Sequence, residues 1–273
     1  MTITGFLHPG AMGASVAAAC SGECLWAGEG RSAATRRRAD DAGLVDAGSL
    51  AGIVERADTI VSVCPPDQAA AVAVAVADRG FAGVYVDANA IAPQQALEIH
   101  RLFAGQAEVV DGGIIGPPAS QSGTTRMYLS GRQAVAIAER WHDSALDVRV
   151  VGPDVGSASA LKMAFAGWTK GSMALLLTVN AVADSYGVAG DLAEEWSISQ
   201  PDALGRSQHL GGAAAKAWRF EGEMREIAET FAAVGLPDGF HEAAAEVYHR
   251  LAGFKDTDSV TLDALVAALN APD

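Results

Sequence analysis

The 273-residue chain is poor in cysteine, in charge and above all in positive charge, and each shortage closes off a class of function. Its three cysteines, Cys20, Cys24 and Cys64, follow no metal-ligand spacing, and an odd number gives no disulfide framework. They read as reduced thiols, and a cytoplasmic protein is expected. Lysine and arginine number 19 against 33 aspartates and glutamates, a formal net charge of -14. A duplex-binding protein must set positive charge against phosphates, yet the one basic cluster, Arg36-Arg37-Arg38, is followed by Asp40 and Asp41. Neither nucleic acid nor an anionic membrane surface is expected as a partner. A phosphorylated cofactor is still allowed, because one or two well-placed arginines suffice for it. The apolar run 174–182 lies between Lys170 and Asp184 and falls short of the roughly 20 apolar residues that span a bilayer. The first residues lack the basic start of a signal peptide and carry glycines, His8 and Pro9. The six histidines make no close pair with a nearby carboxylate, so no metal is expected. Internal repeats and low-complexity linkers are absent.

What remains is apolar. Half of the residues are hydrophobic, many of them alanine, and only 19% are charged. Alanine favours helix and adds little bulk, which predicts closely packed helices and, in a chain of this size, surface buried in a homodimer. Short apolar runs at 2–7, 23–27, 59–64, 83–87 and 107–111 alternate with helical patterns at 14–21, 32–41, 67–78 and from Pro93 onward. Such alternation predicts a mostly parallel sheet. Strands at 125–129 and 147–151 and a helix at 132–141 extend it. Pro65-Pro66 is read as a break that belongs inside neither strand nor helix. Beyond Gly156 only helical signals appear. A long apolar helix over 157–186 would lie at the centre of a core, followed by helices near 203–218, 221–234, 239–251 and 261–269. The expected division is 1–154 and 155–273.

The first strand–helix junction carries the strongest motif, Gly5-Phe6-Leu7-His8-Pro9-Gly10-Ala11-Met12-Gly13. A strand that turns sharply into a helix points free N–H groups at a pyrophosphate. Gly10 allows the backbone to approach the phosphate, and Gly13 allows the helix to approach the sheet. The usual first glycine of the three-glycine pattern falls at His8, a position a side chain can occupy only with ordinary backbone angles. The motif and its place predict an N-terminal Rossmann domain, followed by an all-α domain built on the long helix. After the second strand comes Gly28-Glu29-Gly30-Arg31-Ser32, with Arg36 close behind. Arg31, Ser32 and Arg36 suit a 2′-phosphate through charge-assisted contacts, so NADP is expected over NAD. Glu29 is the contrary signal, since a carboxylate turned inward would accept from the ribose hydroxyls of NAD.

Five segments carry a family resemblance: the turn just described; Val63-Cys64-Pro65-Pro66; Asp87-Ala88-Asn89-Ala90; Asp111-Gly112-Gly113-Ile114-Ile115-Gly116 with 123–131; and Gly156-Ser157-Ala158-Ser159-Ala160-Leu161-Lys162. In this order they resemble the β-hydroxyacid dehydrogenase superfamily, which also holds 6-phosphogluconate dehydrogenases and imine reductases. Within it they resemble a branch of NAD(P)-binding 6-phosphogluconate-dehydrogenase-like proteins that keeps the His-Pro-Gly variant of the turn. The resemblance implies that Cys64, Pro65, Pro66 and Asn89 pass beside the cofactor. It also implies a dimer built on the long helix, and active sites in the cleft between domains. Lys162 takes the position of the catalytic lysine. The resemblance also departs from the pattern. The family's serine and two glycines, which grip a substrate carboxylate, fall at Ile115, Gly116 and Pro117, and its asparagine falls at Ala166. Isoleucine offers no donor there and proline no N–H, so a small 3-hydroxy acid held in the family's way is not expected.

Together these readings point to an NADPH-dependent oxidoreductase acting on a hydroxy/keto pair, with Lys162 as general acid/base. A lysine with an ordinary pKa of about 10.4 needs burial or a neighbouring cation to serve near neutrality. Two alternatives remain open, an imine reductase acting on C=N and a non-catalytic NAD(P)-binding protein. Thr169 shares a helical face with Lys162. Trp218 and His241 are candidates for lining a substrate pocket, set against a core tryptophan and a surface histidine.

Overall fold

Most strands of the sheet are short apolar runs with β-branched residues, and their alternate residues feed different cores. In the computed structural model, which describes residues 2–255, 257 and 259–271, the runs Ile3–Phe6 (β1), Glu23–Trp26 (β2), Val45–Asp46 (β3), Thr59–Ser62 (β4), Val84–Asp87 (β5), Glu108–Ile115 (β6), Thr125–Ser130 (β7) and Leu146–Gly152 (β8) form one sheet in the order β3-β2-β1-β4-β5-β6-β7-β8. All neighbours pair in parallel except β6 and β7. Phe6, Trp26, Val61, Val86 and Val110 enter one apolar cluster. Their neighbours Leu25, Ile60, Tyr85 and Val109 enter another, as the period of two requires when both faces of a sheet are covered.

The connecting helices are Ala11–Ala18 (α1), Ala33–Asp41 (α2), Leu50–Arg56 (α3), Pro66–Ala77 (α4), Pro93–Leu102 (α5) and Ala134–Ala138 (α6), the last continued by a 3₁₀ turn at Glu139–Trp141. Ser32 and Ser49 cap α2 and α3 by accepting from Thr35 N and Gly52 N. The expected break at Pro65-Pro66 is half right. Pro65 stands outside, but Pro66 opens α4, where a missing N–H costs nothing because first-turn donors have no helical partner. The pair β3 and α3 went unread in the sequence, since two strand residues carry no periodicity.

After β8 the chain is helical: Ser157–Ser185 (α7), Ala189–Ser199 (α8), Pro201–Ser207 (α9), Gly211–Ala214 (α10), Ala217–Ala233 (α11), Gly239–Arg250 (α12) and Leu262–Asn270 (α13). The single helix expected over 203–218 is instead α9, α10 and the start of α11, and α8 precedes them. Among the described residues no helix is long and apolar enough to cross a membrane. By packing, the chain resolves into two units, Met1–Met163 and Ala164–Asp273. The head of α7, 157–163, goes with the sheet, whereas the division proposed from the sequence at 154/155 follows the start of that helix.

Within the second unit, α11 packs on α12. Phe220 meets Tyr248 edge-on, 5.3 Å between ring centres, and the Tyr248 hydroxyl donates to the Lys170 carbonyl at 2.8 Å. The Lys170 ammonium pairs with buried Glu223 and lies 4.6 Å from the Phe220 ring centre.

Candidate active site

The junction of β1 and α1 makes a cradle of backbone. Among the described residues the only non-glycines with positive φ are Asp143 and Ser259, so His8 occupies the first-glycine position with ordinary backbone angles. Gly10 N donates to the His8 carbonyl at 2.8 Å, Arg38 Nη1 donates to the Pro9 carbonyl at 3.1 Å, and a Cβ at Gly13 would collide with the His8 carbonyl. The turn is therefore closed from both sides. Its outer side is open. No side chain caps α1, its first turn holds no acid, and a Cβ at Gly10 would meet nothing within 4 Å. Unfilled N–H groups at a helix start, lined by Ala11 and Met12, fit a phosphate. His8 Nδ1 is buried without a hydrogen-bond partner. Burial first, then the Arg31 guanidinium, lowers the His8 pKa to about 4.

At the end of β2 the structure adds a carboxylate that sequence reading missed. Asp46 Oδ1 accepts from Gly28 N at 2.9 Å and from Gly48 N at 2.8 Å. Arg36 donates through Nη2 to the Gly28 carbonyl at 2.5 Å and through Nη1 to Asp46 Oδ2 at 3.4 Å. Arg31 Nη2 lies 3.4 Å from the Leu7 carbonyl it donates to, while Ser32 is committed to the α2 cap. Glu29 is exposed rather than turned inward.

At the ends of β4 and β5, Asn89 ties two loops together. Its Oδ1 accepts from Cys64 N at 2.6 Å, and its Nδ2 donates to Ser62 Oγ at 3.2 Å and to Asp87 Oδ2 at 3.0 Å. Asp87 is fully buried, and burial pushes its carboxyl up to about 7 against the Asn89 hydrogen bonds. Burial likewise pushes the Cys64 thiol up to about 11, which leaves it protonated and weakly reactive.

The head of α7 is pinned by Asp111, at the register partner of Asp87 on β6. Asp111 Oδ2 accepts from Gly156 N at 2.9 Å, Ser159 N at 3.0 Å and Ser130 Oγ at 2.9 Å, while Ser159 Oγ donates to Oδ1 at 2.5 Å. Ser130 Oγ in turn accepts from Ala158 N at 3.0 Å. A carboxylate at a helix start satisfies orphan donors and matches the helix dipole. The capped helix lies so near β6 that a Cβ at Gly113 would come within 2.8 Å of Lys162 Cβ and 3.0 Å of the Ala158 carbonyl. From there the half-buried Lys162 donates to the Ile114 carbonyl at 2.8 Å. Ile115, Gly116 and Pro117 follow Ile114 directly in the chain. Ile115 is buried, and Gly116 and Pro117 are exposed. The signal for Asp111 was present in the sequence, an acid following Val109-Val110 where a strand should be apolar.

The other three candidates belong to the second unit. Thr169 Oγ1 donates to the Phe165 carbonyl at 3.0 Å. The burial weighed as the alternative for the last two is inverted. Trp218 is 40% exposed and His241 only 5%. Lys255 Nζ stands 4.2 Å from the Trp218 ring centre. His241 packs on Phe231 and Phe240, with centroids at 4.3 and 5.2 Å, in the space left by Gly167 and Gly171.

Residues 183–251 match a domain family of unknown function, DUF1932. An uncharacterized 28.5 kDa protein of Methanothermus fervidus is 30% identical over 168 residues, 61% of this chain, and the match spans 64% of that protein, less than two thirds of its length. The conserved protein MTH1747, of unknown function and described as structurally similar to 3-hydroxyacid dehydrogenases, superposes with a TM-score of 0.69 at 26% identity, over 91% of this chain and 96% of that one. The Mycobacterium tuberculosis 3-hydroxyisobutyrate dehydrogenase with L-serine gives 0.70 at 18%, covering 99% and 100%. The Aspergillus terreus reductive aminase with NADPH and ethyl levulinate gives 0.58 at 16%, covering 99% and 100%. The chain shares its fold with 3-hydroxyisobutyrate dehydrogenases, a reductive aminase and an imine reductase. The shared architecture is a parallel-rich Rossmann-like sheet followed by helices that begin with α7.

Proposed function

We propose that the chain is an NADPH-dependent dehydrogenase or reductase acting on a hydroxy/keto pair, with Lys162 as its general acid/base. One observation carries the reading. The Lys162 ammonium is held on the Ile114 carbonyl at the carboxyl end of β6, the same sheet edge on which α1 opens its uncapped N-terminus. Ligands of open α/β sheets bind at that edge.

The residues present fit a dinucleotide. Gly10, Ala11, Met12 and Gly13 would hold the pyrophosphate, with Arg31, Ser32 and Arg36 at the ribose. The loops of Cys64, Pro65, Pro66 and Asn89 would flank the other half. When bound, the nicotinamide supplies the hydride chemistry. Lys162 manages the proton. Its ammonium gives one to the substrate oxygen in reduction, and its amine takes one from the hydroxyl in oxidation. Ile115 and Pro117 offer a substrate carboxylate no donor, so a larger or less acidic substrate is proposed. That same loss favours a second reading, hydride delivery to C=N.

A homodimer is part of the proposal. Trp168, Leu175 and Val182 recur at helical spacing along α7 and Tyr186 follows its end; they are 68%, 50%, 57% and 80% exposed. Titration with NADPH and NADH, followed by cofactor oxidation with a panel of ketones and cyclic imines, tests the function. Uptake of neither dinucleotide would overturn it.

A further inference from the structure

We propose that Asp46, the last residue of β3, restrains the preference for a 2′-phosphate, so that this chain accepts both nicotinamide dinucleotides. The inference rests on the reading that the α1 turn holds such a cofactor.

In open α/β folds the residue that reads the adenosine ribose sits at the end of β2. Here β2 ends at Trp26 and the next residues are Ala27 and Gly28, which carry no acid. The carboxylate arrives instead from the neighbouring strand. Asp46 is the register partner of Trp26, and a Cβ on Gly28 would occupy the space its carboxylate fills. Gly28 therefore lets an acid from β3 stand where β2 would have supplied one.

The two oxygens of Asp46 are used differently. Oδ1 accepts from Gly28 N and Gly48 N at 2.9 and 2.8 Å, which fixes the carboxylate relative to the loop. Oδ2 faces Arg36 across 3.4 Å, with the two side chains 42% and 47% exposed. An exposed pair of this kind is weak, and a phosphate is a stronger partner for a guanidinium than one carboxylate oxygen. Arg36 is also tied to the Gly28 carbonyl at 2.5 Å, so its guanidinium stays at this site whichever anion it faces. With a 2′-phosphate present, Arg36 attracts it and Asp46 repels it. With a free 2′-hydroxyl, Asp46 Oδ2 accepts from the ribose. The one pair thus serves both cofactors, and the acid holds down the discrimination that the arginine creates.

The ratio of dissociation constants for NADPH and NADH decides it, measured by calorimetry on the full chain. Asp46→Asn keeps an oxygen for the two backbone donors and removes the charge. Its preference for NADPH should rise about tenfold, with NADPH tightening and NADH weakening. Arg36→Ala should move the ratio the other way. Asp46→Ser is the second variant should the amide disturb the loop, and melting temperatures verify that each is folded. A ratio unchanged or lowered in folded Asp46 variants overturns the role of Asp46 while leaving the cofactor reading intact. Wild-type protein that binds neither dinucleotide overturns both.

Discussion

The two units of this chain treat polar groups in opposite ways. In Met1–Met163 the buried acids are tied to backbone donors. Asp111 caps α7, and Asp87 is linked through Asn89 to the Cys64 loop. Each such acid lies at or near the strand ends from which function is argued. In Ala164–Asp273 the buried charges, Lys170 and Glu223, neutralise one another under Phe220, and buried His241 is enclosed by aromatic rings. A buried polar group thus says little about function until its partners are known. Backbone-tied acids position a helix and a lysine, whereas a side-chain pair holds helices together.

That contrast is sharpest at Lys162. Lys162→Ala should lower turnover by roughly 10²–10⁴-fold, the usual worth of a positioned acid/base, with NADPH affinity within twofold of wild type. Steady-state kinetics beside calorimetry tests this, and near wild-type turnover would remove the lysine from the chemistry. In the second unit, Glu223→Ala leaves an ammonium buried without its acid and should cost about 3–5 kcal/mol of stability. Denaturant titration reads this, and NADPH affinity of the folded fraction should not change. If affinity falls with stability, the two units are not separable in the way argued.

A smaller effect tests the close approach of α7 to β6. Gly113→Ala forces a methyl against Lys162 Cβ and the Ala158 carbonyl and should cost about 1–3 kcal/mol together with a loss in kcat. Loss of stability with kcat intact would show that the lysine tolerates a displaced helix. The smallest effect concerns His241, whose pKa is lowered from 6.5 by burial. Its folded value lies below its unfolded one, so its contribution is fully present above pH 6.5 and is lost as pH falls. His8 adds to the same acid slope, since its pKa drops to about 4. His241→Phe should flatten the decline in melting temperature below pH 6.5 and change stability at neutral pH by at most about 1 kcal/mol. It should leave turnover unchanged. A large loss of turnover would return His241 to the substrate pocket.

Much of the first unit was legible because its signals are local. The run Gly5 to Gly13 states a turn through residues adjacent in sequence, and the β-branched runs announce strands by composition. Five strands were read to within one residue at each end, and α7 was read over 157–186 against Ser157–Ser185 observed. The pair β3 and α3 escaped because a two-residue strand carries no pattern. The stretch 203–218 was read as one helix because its alanines favour helix at every position, and propensity says nothing of where tertiary packing interrupts it. Lys162, Arg36 and the turn were named from the sequence. Asp46, Ser130 and the capping role of Asp111 were not, because their partners lie far along the chain.

The sequence by itself determined the period of the hydrophobic pattern, the glycine turn and the order of the longer strands and helices, since each depends on neighbours within a few residues. Only the tertiary structure decided which carboxylate stands at the end of β2, what anchors the head of α7, and that Trp218 is outside while His241 is inside. Those outcomes depend on through-space distances between residues tens of positions apart, and a buried carboxylate or imidazole takes its character from the groups that surround it.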